Sequence, residues 1–589
     1  MTLLSSSSLP LLRSLARSLK VLPVITRLFS EFQGKHHRYF QDGTGIYRST
    51  SGHGDQEIVE VFNADWEEGY GFIQRVRLSP NETLLAALVK RDHCEGTRCL
   101  LIPLNVAGNQ KKAPLALDNV LSFAHRRDFV VYVFSGFISP TLVYKQPLFF
   151  VEVSRSRDQK LITINCSSKT SSEVWCVPSK SPLSVPVLIQ CRQPGLLYYV
   201  EHSENVLFIL ANTGPNQEYQ LLKAYLASPS MAYWVPAFRA DPGTVIKDME
   251  LLQDHCVFTV KDSQCGLQIQ SLTAHEPFQL HTLQLPAWAC DLSPEHGRTV
   301  DSESFRFLLS SPVHPPVGYV YSAREQALSK SEENELISLP EFNTTRLQAA
   351  SQTCYLNIMS CIFDLIVRGG GERGLAWHRA GSVLQKRKGL EDLAACIQTL
   401  HQSRVSRPAL SALMACSAGA VLAGALCNHY PQLIKALVLQ APFLDVLDTM
   451  QDSSLPLTVE ERGEWGDPLL GEHRDYIASY CPCHNIRPQL YPSMLITAYS
   501  EDQRVPLSGV VKYVDRLKKA LQTHLAPDGD NASPIPAVIL DIQPGGDHFG
   551  PEEFHLALNE SARQLAFLYS ELGLNLDKNQ RRWKKSQKH

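Results

Sequence analysis

Residues 410–427 read LSALMACSAGAVLAGALC, an apolar run that passes through Ala415-Cys416-Ser417-Ala418-Gly419 into small, helix-favouring residues. Leu410–Met414 is short and apolar, as a buried strand is, and Ala418–Cys427 reads as the helix that follows. A serine at that junction has the context of a nucleophile elbow, in which a sharp strand-to-helix turn lifts the hydroxyl above a sheet. Small neighbours are needed because backbone and helix approach closely there. The usual first glycine is Ala415 here, which lowers the specificity of the motif. Taken alone, a serine among small residues is more often a plain helix start.

Working outward from Ser417, strand and helix patterns alternate from about residue 343 onward. Ile434–Gln440, Ser493–Tyr499 and Ala537–Ile542 read as strands, and Ser508–Gln522 and Glu552–Leu572 as helices. Such alternation implies a mostly parallel sheet covered on both faces. The loop after Ser493–Tyr499 carries Glu501-Asp502-Gln503-Arg504-Val505-Pro506, and the loop after Ala537–Ile542 carries Gly545-Gly546-Asp547-His548. A serine, then an acid, then a histidine, each following a strand, is the order used by an α/β-hydrolase. In that chemistry His548 accepts the Ser417 proton and returns it to the leaving group, while the acid fixes the imidazole tautomer. An aspartate capping a turn and one ordinary histidine among 20 are the bland alternatives. Order alone does not separate Asp502 from Glu501.

Between about Gln74 and Gln326 the pattern is different. Ile73–Leu78, Leu84–Val89, Phe129–Phe134, Leu161–Asn165, Val206–Ala211, Cys256–Lys261 and Phe305–Ser310 are short runs bounded by turn residues, the signature of strands. Their number exceeds what one sandwich holds, and clusters of about 40–50 residues suit propeller blades. Two large β-sandwiches are the alternative.

Composition narrows the function classes. Lys+Arg 56 against Asp+Glu 59 gives a net charge of −3, which argues against nucleic acid as the main partner. No apolar run reaches the length of a transmembrane helix. The 15 cysteines are odd in number and scattered, as free thiols in a reducing compartment are. A cytoplasmic location is expected, or a mitochondrial one if Met1–Ser30, basic, Ser-rich and free of acids, is a transit peptide and not a disordered extension. No cofactor is expected: Gly369–Gly371 lacks the lysine and helix start of a phosphate loop. No metal set emerges either, because Cys481-Pro482-Cys483-His484 has no second ligand group at a finger-like spacing.

Arg368-Gly369-Gly370-Gly371-Glu372-Arg373-Gly374, followed by Trp377-His378, resembles the RGGGE-x-G…WH signature of the prolyl oligopeptidase family of serine peptidases. Asp502-Gln503-Arg504-Val505-Pro506 resembles that family's aspartate loop, which selects Asp502 over Glu501. Leu78-Ser79-Pro80-Asn81 and the run Lys169–Trp175 resemble pieces of its propeller, so the likeness extends from about Phe40 to Leu574. The resemblance implies an α/β-hydrolase domain over 341–575 and a β-propeller of seven blades over 73–340. It also implies a segment 31–72 packed on the hydrolase domain, between the extension 1–30 and the propeller; 576–589 is a basic tail. The propeller would cap the active site and admit only short or flexible substrates. Arg504 would hold a substrate carbonyl, for which a planar cationic donor is suited; a salt bridge with a loop acid is its alternative.

One part of the family pattern is missing. Fewer than fifty residues separate Val320 from Arg368, with one clear strand candidate, Cys361–Val367, and no Tyr-Gly pair; the Tyr70-Gly71 pair lies near the N-terminus. The hydrolase sheet is therefore expected to lack some early strands, as in a splice form or a partial gene model. The Ala418 N–H supplies one oxyanion donor, and the family's tyrosine has no counterpart. Losing one such donor costs on the order of 100–1,000-fold in rate. Short peptides, the substrate class the resemblance implies, and esters and thioesters, which have better leaving groups, both stay open as substrates. The competing reading is a non-enzymatic scaffold that binds protein partners on the propeller rim.

Overall fold

The computed structural model describes Thr2–Leu4, the strands between residues 30 and 144, and most of 150–574; residues 5–29, 332–343 and 575–589 lie outside the described residues. Met1 does too, so the expected basic tail, and the expected extension 1–30 apart from Thr2–Leu4 and Ser30, lie outside the described residues. The chain divides into two compact units, one of Met1–Pro23, Pro340–Glu372 and Trp377–His589, the other of Val24–Leu339 with Arg373–Ala376.

The first unit is built on an eight-stranded sheet. Its strands are β1 (Thr2–Leu4), β2 (Thr344–Gln348), β3 (Tyr355–Met359), β4 (Ile362–Ile366), β5 (Ala412–Cys416), β6 (Ala436–Gln440), β7 (Ser493–Tyr499) and β8 (Val538–Gln543), in the spatial order β2-β3-β4-β1-β5-β6-β7-β8. From β5 to β8 every pairing is parallel, and from β2 through β1 to β5 every pairing is antiparallel. Parallel strands need long crossovers, and helices Gly419–His429 and Leu507–His524 provide two of them. Helix Leu507–His524 buries Val510, Tyr513, Val514, Leu517, Ala520 and Leu521, the i, i+3, i+4 stripe of a helix lying on a sheet. β7 is buried at all of its residues, as a strand covered on both faces must be.

Two strands, β2 and β3, precede β4 where the sequence offered one clear candidate, because TTRLQ and YLNIM are short and carry polar residues. The slot between β4 and β5 is filled by β1, which pairs Thr2–Leu4 with Asp364–Ile362 on one side and Met414–Ala412 on the other. That pairing satisfies backbone groups on both neighbours that would otherwise face a gap.

The second unit is a succession of small sheets along the chain, over 30–63, 70–118, 120–144, 150–190, 198–238, 245–284 and 291–330. The third has three strands among the described residues and the others have four. Each four-stranded sheet is an antiparallel meander; Tyr198–Ser203 and Ser304–Ser311 alternate in burial along the strand, while Val206–Ala211 and Leu267–Thr273 are buried almost throughout. Residues 30–63 form the first of these sheets, so the segment expected to pack on the hydrolase domain belongs to the second unit. Its Tyr39, Ile46 and Phe62 share one apolar cluster with Ile73, Leu85 and Leu100 of the sheet that follows. Burying those side chains against the neighbouring sheet is what assigns it there.

Candidate active site

β5 ends at Cys416, and Ser417 occupies a turn with φ +49° before helix Gly419–His429. Positive φ is uncommon for a side-chain-bearing residue and costs on the order of 1–3 kcal/mol, so surrounding contacts must hold it. They do: the Ser417 N–H donates to the Gln440 carbonyl at 3.0 Å, and the Ser417 carbonyl accepts from Phe443 N–H at 3.1 Å and Ala420 N–H at 3.0 Å. The small residues beneath are needed for closeness. A Cβ on Gly424 would lie 2.8 Å from Pro482 Cβ.

The structure brings Ser417, Asp502 and His548 together from three loops that follow β5, β7 and β8. Ser417 Oγ lies 2.8 Å from His548 Nε2, and His548 Nδ1 lies 2.8 Å from Asp502 Oδ2. The imidazole and the carboxylate are 8% and 3% exposed, so the ion-pair partner of any imidazolium is shielded from water. The other oxygen, Asp502 Oδ1, accepts the backbone N–H groups of Arg504 at 2.8 Å and Val505 at 2.9 Å, which orients the carboxylate. Glu501 turns elsewhere, its carboxylate accepting the Ser500 hydroxyl at 3.2 Å. Asp502 is thus the acid that reaches the histidine.

The Ala418 N–H, at the N-cap of the following helix, has no hydrogen-bond acceptor among the described residues. It adjoins Ser417 in the place where a developing oxyanion would look for a donor. Arg504 is exposed, with its guanidinium 4.7 Å from the centroid of the exposed Phe549 ring. The thiol of Cys416 is raised by burial and by the charges of Asp502 and Glu560, which keeps it protonated and a poor rival to the serine.

A supporting layer lies beneath the histidine loop that sequence reasoning did not find. The Tyr499 hydroxyl at the end of β7 donates to Glu560 Oε1 at 2.8 Å and accepts Gln440 Nε2 at 2.8 Å. Gly546 and Gly550 flank His548 against this tyrosine: a Cβ on either would come within 3.0 Å of the Tyr499 ring or hydroxyl, and Gly550 has φ +89°. Glu560 is raised by burial. The available signal was an acid at a core position, since Glu560, Gln564, Phe567 and Leu568 form the buried stripe of the last helix.

The RGGGE segment is anchored from below. Arg368 Nε and Nη2 meet the Asp392 carboxylate at 2.8 Å and 2.7 Å, and Arg368 N–H reaches it at 3.0 Å. Asp392 is fully buried. Further along, Glu464 bonds His378 at 2.8 Å and Lys386, whose ammonium lies 4.2 Å from the Trp465 ring centroid. Burial alone would raise the Glu464 carboxyl, but the His378 hydrogen bond and the Lys386 charge outweigh it and bring it down to about 2. Trp465 is buried in the core against Phe443, edge to face at 5.2 Å.

Comparison with known proteins bears on the fold and the family. Residues 356–575 match the family model described as Prolyl oligopeptidase family, and 139–334 match that described as Prolyl oligopeptidase, N-terminal beta-propeller domain. The chain is 37% identical to Prolyl endopeptidase-like of Gallus gallus, over 91% of this chain and 81% of the relative. It is 36% identical to Prolyl endopeptidase-like of Homo sapiens over the same shares. Among solved structures, oligopeptidase B from Leishmania major superposes with a TM-score of 0.77 at 20% identity, covering 92% of this chain and 86% of that one. The second unit is accordingly the family's β-propeller and the first its hydrolase domain; among the described residues no helix is long and apolar enough to cross a membrane. From the elbow to the propeller sheets, fold and sequence point one way: the chain belongs to the prolyl oligopeptidase family of serine hydrolases.

Proposed function

We propose that the chain hydrolyses short peptides, or small esters and thioesters, through Ser417, His548 and Asp502. The observation that carries this reading is the unbroken hydrogen-bond chain from Ser417 Oγ through His548 to Asp502, 2.8 Å at each link. Ser417 Oγ attacks the acyl carbon as its proton passes to His548 Nε2. The Ala418 N–H stabilises the developing oxyanion, and His548 then protonates the leaving group. Water, activated by the same imidazole, releases the acid and restores the serine. Arg504, exposed on the same loop as Asp502, is the candidate to hold a substrate carbonyl. The propeller is read as seven-bladed, one blade for each small sheet. Free thiols at eleven described cysteines favour a reducing compartment: the cytoplasm, or the mitochondrion if residues 1–30 are a transit peptide.

A second reading, a scaffold with weakened chemistry, is favoured by one feature: no Tyr-Gly pair precedes Arg368 in the hydrolase unit to supply the other oxyanion donor. Hydrolysis of a p-nitrophenyl ester, an acyl thioester and a fluorogenic short peptide by the full chain separates the readings. Ester and thioester turnover above peptide turnover, abolished by Ser417→Ala, is the expected result. Folded protein inactive on all three substrates supports the scaffold.

A further inference from the structure

Cys481-Pro482-Cys483-His484 lacks a second ligand group in sequence, yet the fold supplies one. Asp445 lies in the loop after β6 and heads helix Val446–Gln451. Cys481 ends helix Gly471–Tyr480, and His484 closes the turn Pro482–His484. The Cys483 N–H donates to the Leu444 carbonyl at 3.0 Å, tying the two loops together. His484 Nδ1 then sits 3.3 Å from Cys481 Sγ and 3.5 Å from Asp445 Oδ1, and the three atoms lie within 4.8 Å of one another.

From these positions we infer that Cys481, His484 and Asp445 form a zinc site, which pins the loop after β6 to the turn Pro482–His484. Zinc bonds of about 2.3 Å to sulfur and about 2.0–2.1 Å to nitrogen or oxygen make tetrahedral edges of roughly 3.4–3.6 Å. The two edges that meet at His484 already have that length within a few tenths of an ångström. Thiolate, imidazole and carboxylate together are a donor set suited to zinc and poorly suited to magnesium or calcium.

Two independent features point to a cation. Asp445 is 4% exposed, and its Oδ1 accepts no hydrogen bond, an expensive state for a buried carboxylate oxygen without a positive partner at bonding distance. Its Oδ2 is occupied by Lys512 Nζ at 2.8 Å, which leaves Oδ1 facing the histidine and the thiol. The second feature is on the far side of the ring: His484 Nε2 lies 3.3 Å from Asp448 Oδ1. A metal on Nδ1 leaves Nε2–H to donate to that carboxylate, the orientation that outer carboxylates impose on ligating histidines.

Charge also balances. Thiolate, Asp445 and Asp448 carry three negative charges, which Lys512 and a divalent ion neutralise. On binding, the Cys481 S–H bond breaks, the Sγ–metal bond forms and the proton leaves to solvent. The imidazole is 25% exposed, which provides an entry path and room for water as fourth ligand. The loop so fixed includes Phe443, whose N–H holds the Ser417 carbonyl at 3.1 Å, so the ion would stiffen the turn under the nucleophile.

The test uses the full-length chain, stripped with chelator and titrated with Zn2+ and with Co2+. Zinc retained at about one equivalent by elemental analysis, and a thiolate-to-cobalt charge-transfer band with tetrahedral d–d bands, are expected. Cys481→Ser should abolish the charge-transfer band and weaken Co2+ binding by more than about 100-fold; Asp448→Asn should weaken it by roughly 10-fold. Cys483→Ser, in the same turn but outside the cluster, should leave the band unchanged. A wild-type chain that gives no thiolate–cobalt band overturns the site without reference to any variant. Loss of binding in Cys483→Ser equal to that in Cys481→Ser overturns it as well.

Discussion

The hydrolase sheet and the propeller sheets are made of similar short apolar strands, but two of them, β7 and Tyr198–Ser203, are buried differently. β7 is buried at every residue, whereas Tyr198–Ser203 alternates between core and surface. A parallel strand covered on both faces can offer chemistry only at its ends, and Ser417, Asp502 and His548 all lie in loops just past the ends of the sheet's parallel strands. The propeller strands spend their inward faces on packing, with hydrogen bonds that link one sheet to the next. Tyr198 is the example, its hydroxyl accepting Val174 N–H at 2.8 Å and donating to the Gln190 carbonyl at 2.6 Å. Substitutions in the loops past the strand ends of the first region should therefore change rate, and those at its buried ion pairs or in the second region should change stability.

The largest effect is expected from Asp502→Asn, which presents the wrong hydrogen-bonding partner to His548. A fall in ester kcat on the order of 10⁴-fold with an unchanged melting profile is the expected outcome. Equal damage from Glu501→Gln would break the assignment. Next comes Arg368→Ala, which strands the fully buried Asp392 carboxylate and should cost about 3–5 kcal/mol in chemical denaturation of the hydrolase unit. Arg368→Ala within 1 kcal/mol of wild type would show that the pair is not needed, a threshold set by the roughly 0–1 kcal/mol of surface pairs.

Acid should expose the Glu464 cluster. Its carboxyl falls from an ordinary 4.5 to about 2 in the fold, so its contribution is present above pH 4.5 and is lost as pH drops towards 2. On the order of 3 kcal/mol is at stake over that window. Glu464→Gln should flatten that part of the stability–pH curve, and an unchanged slope would contradict the assignment. The smallest effect belongs to the propeller. Tyr198→Phe should cost about 1–3 kcal/mol, read as a lower melting temperature, and leave ester turnover per folded molecule unaltered.

Burial along each strand explains what could be read in advance. Ser493–Tyr499 and Val206–Ala211 are strands over the residues expected, because continuous apolar runs of that length have few alternatives. Ser417 and His548 were legible because small residues and glycines crowd around them for steric reasons that leave a mark in sequence. β2 and β3 were missed, their polar residues masking the period. β1 was beyond reach, since a three-residue strand is defined by the gap it fills between β4 and β5. The Tyr499–Glu560 support and the Asp445–Cys481–His484 cluster were also hidden, because each joins residues far apart in the chain that only the fold brings together.

Fluorophosphonate labelling of the folded, full-length chain, mapped by peptide mass spectrometry, tests the central claim most directly. The account predicts one adduct per chain, on Ser417, absent from Ser417→Ala and formed far more slowly in His548→Ala. A folded wild-type chain that takes no label, or a Ser417→Ala variant labelled as well as wild type, would contradict it.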